Sequence, residues 1–329
     1  MLGIVKKAVI AAGIVCSTQV AFAADEIKTI NFGIISTDST QVLRDSWTPF
    51  LDDMSKKMGV AIEPFFASDY AGIIQAMRFD KVDVAWYGNK SAIEAVDRSG
   101  GEVFAQTVDS NGNPGYWSLL LAHKDSPLNN VEDIVKNAKD LTFGNGDPNS
   151  TSGYLVPSYY VFAKNNMDTR KAFKRVTNSN HQTNALLVAN NKVDFVTNNT
   201  ENLRRIEENF PEKFENIKVI WKSPLIPSDP IVWRKNLPEA TKSKIYNFFM
   251  AYGKSGDKQE LANLDKLQWL PFRPSSDDQL LPIRQLSLFT DRLQKVNSGN
   301  ATEAEIAEVD EKLAVLNRRM SALSAMASN

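Results

Sequence analysis

Short apolar runs alternate with longer amphipathic segments through the first part of the chain. Residues 42–58 carry apolar side chains on one face and are followed by Gly59, which predicts a helix that ends there. The apolar runs on either side of such segments predict buried strands. Strands that alternate with helices of this length indicate a parallel, right-handed α/β sheet. The strands predicted in this part are residues 27–35, 60–66 and 82–87.

The same pattern returns 111 residues later. The triplet Asn31-Phe32-Gly33 recurs as Thr142-Phe143-Gly144, and Lys81-Val82-Asp83 recurs as Lys192-Val193-Asp194, both at an offset of 111. Two short matches can arise by chance, but a register shared by two strand–helix units is less easily explained in that way. The sequence therefore predicts two similar α/β lobes.

Two segments join the predicted lobes. Residues 117–124 lead into the turn Asp125-Ser126-Pro127, and residues 221–230 contain three prolines, which predicts a stiff, extended return. Two crossings between two lobes form a hinge, and ligands of open α/β sheets bind outside the carboxyl ends of the strands. We therefore expect a cleft between the lobes, lined by loops from both.

The end of the chain has a different pattern. Thr302-Glu-Ala-Glu305 forms a capping box, which predicts the start of a helix. Two interpretations of this helix stay open: it packs on its own lobe, as the shortness of its seam favours, or it contacts a second copy in a dimer. The apolar positions that follow, at alternating spacings of three and four, are Ile306, Val309, Leu313, Leu316, Met320 and Leu323.

The first residues predict export. Lys6 and Lys7 precede a short apolar stretch, and Ala21-Phe22-Ala23 matches a small-x-small cleavage site, as in a secretory signal peptide cut after Ala23. Cys16 is the one cysteine and would be removed with this peptide, so we expect no disulfide and no thiol chemistry in the mature chain. The residue before Cys16 is Val15, which does not fit the lipid-attachment motif.

Charge and composition exclude several function classes. Removal of the two leader lysines leaves 36 basic and 39 acidic residues and changes the formal net charge from −1 to −3. We therefore expect no basic surface for binding a nucleic acid. The two histidines are far apart, and His123 is expected at the surface because Lys124 and Asp125 follow it. We therefore expect no metal site and no cofactor.

A glycine-rich turn at residues 144–154, Gly-Asn-Gly-Asp-Pro-Asn-Ser-Thr-Ser-Gly-Tyr, is the most informative stretch. It follows a predicted strand at 140–143 and precedes a predicted helix at 154–164. Ser150, Thr151 and Ser152 fall where this helix begins, so hydroxyls and unpaired N–H groups there can bind an anion. An ordinary helix cap is the simpler alternative. Neither the Walker A loop nor the dinucleotide fingerprint is present.

Other polar residues fall at strand ends or on the crossings. By the offset of 111, Tyr70 lies opposite His181, each at the start of a helix, and Glu201 follows a predicted strand. Asp229 and Tyr116 lie on the two crossings. The ordinary alternatives are a structural histidine, a first-turn glutamate, a turn aspartate and a partly packed tyrosine with a solvated hydroxyl. Taken together, hydroxyl donors suit an oxyanion and the two acids suit a cation, which describes a zwitterionic ligand.

The whole mature chain resembles the periplasmic phosphonate-binding proteins of ABC importers, and closely those of enterobacteria. The resemblance is carried by long and specific segments, among them Thr-Phe-Gly-Asn-Gly-Asp-Pro-Asn-Ser-Thr-Ser-Gly at 142–153. The family has a two-lobed, type II periplasmic binding fold, here with hinge crossovers and C-terminal helices. The segments are 31–37, 69–75, 82–89, 114–118, 142–153, 197–202 and 221–233.

The resemblance implies a periplasmic receptor without catalysis that delivers 2-aminoethylphosphonate or a near relative to the membrane permease of an importer. In it, the amino group would contact Glu201 and Asp229. A homodimer through the C-terminal helices stays open, because this sequence departs from the family there and near 167–180. The residues implied for the phosphonate group are Tyr70, Tyr116, Ser150, Thr151, Ser152 and His181. The boundaries implied are a signal peptide at 1–23, lobe 1 at 24–119 and 230–275, lobe 2 at 120–229, and a helical extension at 276–329.

Three rival functions are compatible with parts of this pattern. A receptor for phosphite, phosphate or a simple alkylphosphonate would use the same fold, but the two acids disfavour it, because unpaired acids near an anion are costly. A hydrolase using Ser150 and His181 would need a Gly-x-Ser-x-Gly elbow or a metal cluster, and the sequence has neither. A ligand sensor for a membrane kinase would also use this fold.

Overall fold

The computed structural model describes residues 27–327, so the predicted cleavage site after Ala23 and Cys16 lie outside the described residues. The strands are β1 Thr29–Ile34, β2 Ala61–Phe66, β3 Val84–Trp86, β4 Gly101–Asp109, β5 Gly115–Tyr116, β6 Ser118–His123, β7 Thr142–Asn145, β8 Arg175–Asn178, β9 Phe195–Asn199, β10 Ile217–Lys222, β11 Ile226–Pro227, β12 Pro230–Arg234 and β13 Trp269–Pro274.

Helices cover both faces of the sheets. The α-helices are α1 Thr40–Met58, α2 Tyr70–Arg78, α3 Asn89–Arg98, α4 Val131–Asn137, α5 Thr169–Ala172, α6 His181–Ala189, α7 Thr200–Asn209, α8 Pro211–Phe214, α9 Glu239–Ala251, α10 Lys258–Lys266, α11 Leu281–Ser298 and α12 Glu303–Ala327. Two π-helical segments are Thr151–Leu155 and Ser158–Phe162, and three 3₁₀ turns are Ala138–Asp140, Ala163–Asn165 and Asp277–Leu280. Within the described residues, no helix combines the length and apolar composition needed to cross a membrane.

Two mixed sheets form the centres of two lobes. The strand order is β13-β4-β12-β3-β1-β2 in the first lobe and β10-β6-β9-β7-β8 in the second. The three strands predicted in the first part of the chain pair in parallel as expected, β1 with β2 and with β3, and β7 pairs in parallel with β8 and β9. The other strand pairs of the described residues are antiparallel. The strand β12 arrives from the other lobe and runs antiparallel between β3 and β4, a reversal that local periodicity does not reveal.

The internal repeat is confirmed by equivalent hydrogen bonds. In the first lobe the Asn31 N–H donates to Asp83 Oδ2 at 2.8 Å, and in the second lobe the Thr142 N–H donates to Asp194 Oδ2 at 2.6 Å. Each member of the second pair lies 111 positions after its counterpart. The three strands around these bonds have the same order in both sheets, β2-β1-β3 and β8-β7-β9.

The helices α2 and α6 repeat the same details. Their N-caps are Asp69 and Asn180, whose side chains accept the N–H of the residue three positions on. Beyond each helix a non-glycine residue turns the chain with a φ of 54°, Asp80 in the first lobe and Asn191 in the second. Because all four positions keep the offset of 111, Tyr70 and His181 occupy equivalent first positions of their helices.

Aromatic side chains dominate both cores. In the first lobe the ring of Phe50 lies 5.1 Å from that of Tyr252 and 5.8 Å from that of Phe272, between centroids. In the second lobe Phe143 stacks on Phe195 with centroids 4.5 Å apart. A fully buried aromatic or large aliphatic side chain contributes roughly 1.5–3 kcal/mol, so each lobe has its own stabilising core.

A short antiparallel ribbon forms the hinge. The strands β5 and β11 pair, with Ile226 opposite Tyr116 and Pro227 opposite Gly115. A Cβ on Gly115 would lie 1.9 Å from the carbonyl oxygen of Ile226, so this approach requires glycine. The chain leaves the first lobe just after β5 and returns through β11. The two crossings that the sequence predicts therefore lie side by side.

The C-terminal helices α11 and α12 form a hairpin. The predicted capping box is present: the Thr302 N–H donates to Glu305 Oε2 at 2.8 Å, and the Glu305 N–H donates to Thr302 Oγ1 at 3.2 Å. The apolar seam of α12 packs against α11, which belongs to the predicted helical extension rather than to a lobe. The buried seam residues are Val309 and Leu313, and the half-buried ones are Ile306, Leu316, Met320 and Leu323.

His123 differs from its predicted surface position. It ends β6, and its side chain is only 16% exposed. Its Nδ1 atom accepts the N–H of Asp125 at 3.3 Å. The polar residues that follow it indicate a turn. They carry no information on how deeply the last residue of the preceding strand is buried.

Candidate ligand-binding site

All eight predicted site residues border one cavity between the lobes. Each is at most 8% exposed, although all are polar. The cavity that they enclose measures about 10 Å³, which is the space of roughly one water. The lobes are therefore closed on each other, and a ligand enters only when they part. The eight residues are Tyr70, Tyr116, Ser150, Thr151, Ser152, His181, Glu201 and Asp229.

Three consecutive hydroxyls come from the start of the π-helical segment. Ser150 is the N-cap, and its Oγ accepts the Gly153 N–H at 2.9 Å. Thr151 Oγ1 accepts the Lys90 N–H from the other lobe at 2.8 Å, and Ser152 Oγ accepts from Asn199 Nδ2 at 3.1 Å. Since each of these oxygens already accepts a bond, its hydroxyl proton can be donated elsewhere: the proton of Ser150 has Tyr70 and His181 within reach, and those of Thr151 and Ser152 can be donated to an anion. The cap and the anion-site interpretations are thus both compatible with Ser150.

The helix begins at Thr151, three residues before the predicted start, and its backbone is π rather than α. Pro157 has no N–H to offer to the preceding turn. The carbonyls left free are satisfied elsewhere: Ser152 O accepts from Ser118 Oγ at 2.6 Å, and Gly153 O accepts the Gly146 N–H at 3.0 Å. The wider turn thereby fixes the hydroxyl-bearing segment against the neighbouring strand and turn. The strand before it is Thr142–Asn145, two residues later than predicted.

The helix starts of both lobes converge on the same cavity. Tyr70 is the first residue of α2, His181 the first of α6, and Glu201 the second of α7. Each of these helices follows a strand directly or after a short loop, so its N-terminus lies at the strand-end edge that the sequence predicts. Helix N-termini carry unpaired N–H groups and a positive partial charge, which favours an anion at this edge.

The donors of the site are held in neutral form. Burial lowers the pKa of His181 to about 4, so its imidazole is uncharged at neutral pH. Its Nε2 atom lies 3.5 Å from Ser150 Oγ and 3.3 Å from Asn199 Nδ2. Burial also raises the pKa of the Tyr70 and Tyr116 hydroxyls well above the usual value, so both stay protonated. Neutral groups of this kind can act on a ligand through hydrogen bonds but not through charge.

The two acids lie in the same cavity. Burial raises the pKa of Glu201, and it raises the pKa of Asp229, which the neighbouring charge of Glu201 raises further. The Tyr116 hydroxyl donates to Asp229 Oδ1 at 2.8 Å. The resemblance implies Tyr116 as a donor to the anion, but in this arrangement its proton orients the carboxylate. Two buried carboxylates in one small cavity favour a cation between them.

Sequence reasoning missed several residues that border the cavity. Asn199 is one, and the repeat could have revealed it: 111 positions earlier lies Gly88, which also borders the cavity. Trp86 is another, and its indole lies within interaction distance of the carboxylate of Asp229. No motif marks Arg205, which lies four positions after Glu201 on the same helix and borders the cavity. The remaining two are Ile35 and Thr37.

Comparison with known proteins places these features in one family. Residues 32–280 match the family described as "ABC transporter, phosphonate, periplasmic substrate-binding protein". The phosphonates-binding periplasmic protein of Escherichia coli K12 is 60% identical over 94% of this chain and 91% of its own length. The phosphate-import protein PhnD of Mycolicibacterium smegmatis is 29% identical over 60% of this chain and 64% of its own.

Solved structures agree with this placement. A binding protein component of an ABC phosphonate transporter from Pseudomonas aeruginosa is 58% identical and superposes with a TM-score of 0.89, over 91% of this chain and 100% of that one. PhnD1 from Prochlorococcus marinus, solved with methylphosphonate, has a TM-score of 0.70 at 21% identity, over 79% of this chain and 97% of that one. The second likeness shows the fold alone, and both agree with the two-lobed type II fold implied by the sequence.

Proposed function

The chain belongs to the family of periplasmic phosphonate-binding proteins of ABC transporters, and from that premise we propose that it captures 2-aminoethylphosphonate or another phosphonate with an amino group. The family makes it a periplasmic receptor that works with an importer. The choice among phosphonates depends on the cavity. One observation carries the proposal: buried hydroxyl donors and two buried acids border the same closed space.

The anionic end of the ligand would lie against the hydroxyls and helix starts. Ser150, Thr151 and Ser152 each have a proton to donate, and the imidazole of His181 is within reach of Ser150. Hydrogen bonds to a charged oxygen are roughly twice as strong as neutral ones. A tetrahedral phosphonate has three oxygens that can accept from donors on several sides, as these elements present them.

The ammonium end would lie between Glu201 and Asp229. Each is 6–8% exposed, and within residues 27–327 neither forms a salt bridge with a lysine or arginine. Burying a carboxylate without a partner is costly, and an ammonium held between two of them offsets that cost. The same acids disfavour phosphate and methylphosphonate, which bring negative charge and no cation.

A receptor for phosphite, phosphate or a plain alkylphosphonate is the second candidate. Relatives at 29% and 24% identity are a phosphate-import protein and a probable phosphite-binding protein. Each matches about 60% of this chain, whereas the phosphonates-binding relative matches 94% at 60% identity. The acidic pair is the feature that decides between the two candidates.

We infer that the receptor has no catalytic role. Ser150 and His181 are adjacent, but a nucleophile–base pair needs a third group that orients the base. The Nδ1 atom of His181 has no hydrogen-bond partner within the described part of the chain. Turnover of a chromogenic phosphoester or acyl ester that is lost in Ser150→Ala would contradict this inference.

Two further parts of the proposal concern export and assembly. Cleavage after Ala23 predicts that the protein recovered from the periplasm begins at Ala24, which N-terminal sequencing checks. A homodimer through the C-terminal helices is supported by exposed apolar residues on α12, Val315 at 54% and Met326 at 75% exposure. The molar mass measured by light scattering, for the mature chain and for a chain ending at Ser298, tests this contact.

Calorimetry on the mature protein tests the ligand. Titrations with 2-aminoethylphosphonate, methylphosphonate and phosphate are made at one pH and one ionic strength. We expect the amino ligand to bind at least tenfold more tightly than methylphosphonate, and phosphate to bind weakly. Equal or tighter binding of phosphate or methylphosphonate would leave the family and the fold in place and would reject the role of the acidic pair.

A further inference from the structure

An ion pair crosses the cleft beside the proposed ligand site. Asp38, in the loop after β1 of the first lobe, has its Oδ2 atom 3.3 Å from Arg205 Nε of α7 in the second lobe. Asp38 is 3% exposed, and its carboxylate also accepts from Asn202 Nδ2 at 2.7 Å and from Thr37 Oγ1 at 2.8 Å. The carboxylate is therefore built into the closed cleft rather than placed at its surface.

Arg205 borders the ligand cavity itself. It follows Glu201 by four positions on α7, so both side chains lie on the same helix face. Arginine stays protonated in proteins, so its positive charge is permanent. Burial raises the pKa of Glu201 and of Asp229, and the charge of Arg205 opposes the rise at both carboxyls. The charge of Arg205 therefore acts on the two carboxyls between which the ammonium would bind.

The charges of Asp38 and Arg205 also act on His181, at the end of the cavity where the anion would bind. Burial lowers the pKa of His181, and on this imidazole Asp38 and Arg205 act in opposite directions. A lone arginine here would attract every oxyanion and repel an ammonium. The same arginine paired with a buried aspartate contributes little net charge to the cavity. The selectivity of the site is thus expected to depend on the partner of Arg205, and not only on Glu201 and Asp229.

We propose that Asp38 determines ligand selectivity: as the buried counter-ion of Arg205, it keeps the cavity from becoming a general oxyanion site and preserves the preference for a phosphonate that carries an ammonium. The proposal rests on the proposed function and deepens it. Asp38 contacts the arginine and does not border the ligand cavity, so it acts as a positioning residue through charge.

Two single variants test it through effects of opposite sign. Asp38→Asn is nearly isosteric, and its amide oxygen can still accept from Asn202, but it leaves the charge of Arg205 without a counter-ion. The affinity ratio of 2-aminoethylphosphonate to methylphosphonate should fall by about tenfold. Arg205→Gln leaves Asp38 as an additional negative charge, so the same ratio should rise. The double variant, which removes both charges, should return the ratio to near the native value.

A hydrogen bond between the lobes that is not an ion pair, on the same helix, provides the control. Gln268 Nε2 of the first lobe donates to Glu208 Oε2 near the end of α7, at 2.9 Å. Gln268→Ala removes a bond between the lobes without changing any charge. It should weaken both ligands by the same factor and leave their ratio unchanged. A purely structural role of Asp38 would give this result for Asp38→Asn as well.

The outcomes separate the two proposals. A native protein that prefers methylphosphonate or phosphate rejects the proposed function, and the present inference falls with it. A native preference for the amino ligand, together with an unchanged ratio in Asp38→Asn and Arg205→Gln, rejects this inference alone. If Asp38→Asn does not fold, the sign of the change in Arg205→Gln decides, since an unchanged or lower ratio overturns the proposal.

Discussion

Glu201 is the residue on which the proposed selectivity depends most directly. It lies in the first turn of α7, 8% exposed, and borders the cavity with Asp229. A hydrogen bond to a charged partner contributes roughly 1.5–3 kcal/mol. We therefore expect Glu201→Gln to weaken 2-aminoethylphosphonate by about ten- to a hundredfold and methylphosphonate much less. Calorimetry with both ligands measures the difference.

The matched control for this prediction is on the same helix. Glu207 is exposed on α7, so Glu207→Gln removes one negative charge from the helix without touching the cavity. It should leave both affinities within twofold of the native values. An equal loss of both ligands in Glu201→Gln would contradict the assignment of this residue to the ammonium.

The raised pKa values of Glu201 and Asp229 predict a pH dependence. Burial places both above the usual value for a carboxyl, so on acidification each takes up a proton before an exposed acid would. The ammonium needs the ionised forms, and its binding therefore releases protons from the pair. We expect the affinity for 2-aminoethylphosphonate to fall as the pH falls through these raised values, more steeply than that for methylphosphonate.

Methylphosphonate controls for the titration of the phosphonate itself, which both ligands share. Calorimetry of each ligand in two buffers of different ionisation enthalpy gives the number of protons released. A release that is the same for both ligands would show that the acidic pair is already ionised, and would remove the basis for this prediction.

At the residue scale the sequence predicts the types of group better than their partners. The eight predicted residues border one cavity: six lie at helix starts, which follow from local pattern, and Tyr116 and Asp229 lie on the two crossings. The bond from Tyr116 to Asp229 spans 113 positions and joins the two crossings, so no local pattern reports it. Asp38 and Arg205 are missed for the same reason, since their pairing exists only when the lobes close.

Among the elements, the glycine pair behind the hydroxyls limits what the site tolerates. A Cβ on Gly146 would lie 2.5 Å from the carbonyl carbon and oxygen of Gly153, closer than real side chains approach backbone. Gly146→Ala must therefore displace the start of the π segment that carries Ser150. Forcing an extra methyl into a packed site costs about 1–3 kcal/mol. We expect a lower unfolding temperature and at least tenfold weaker binding of both ligands.

Thermal unfolding and calorimetry check this prediction. Pro148→Ala lies in the same turn with its side chain exposed, and it should change ligand affinity by less than twofold. Native affinity and stability in Gly146→Ala would mean that the turn relaxes without moving the hydroxyls.

Element bounds were predictable where the pattern is local. The helix predicted at 42–58 is found as α1, Thr40–Met58, because a serine cap and Gly59 mark its ends. The π-helical form of Thr151–Leu155 could not be predicted. It depends on two donors from outside the segment, the Ser118 hydroxyl and the Gly146 N–H, which bond to carbonyls of the segment. The antiparallel β12 was missed because its neighbours come from distant parts of the chain.

For the whole molecule, the repeat at 111 residues predicts the two lobes and the cleft between them, but not what holds them together. The helix α7 supplies much of that contact. Besides Arg205, it presents Arg204, whose Nη2 atom donates to Asp109 Oδ2 of the first lobe at 2.7 Å. Both lobes have independent cores, so such bonds are made on closure and broken on opening.

The ion pair between Arg204 and Asp109 predicts how closure and affinity are coupled. Neither residue borders the ligand cavity, whereas the pair joins the lobes, so its loss should destabilise the closed form relative to the open one. Affinity falls by the same factor as the population of the closed form. We expect Asp109→Asn to weaken both 2-aminoethylphosphonate and methylphosphonate, by about three- to tenfold, and the amino ligand somewhat more, because the charge of Arg204 is then unpaired and acts on Glu201. Small-angle scattering should show that saturating ligand still gives the compact form.

As a control, Asp97→Asn removes the exposed ion pair between α3 and Arg284 and should change neither affinity nor shape. A loss confined to 2-aminoethylphosphonate in Asp109→Asn would mean that this pair acts on the site through Glu201 and not on closure.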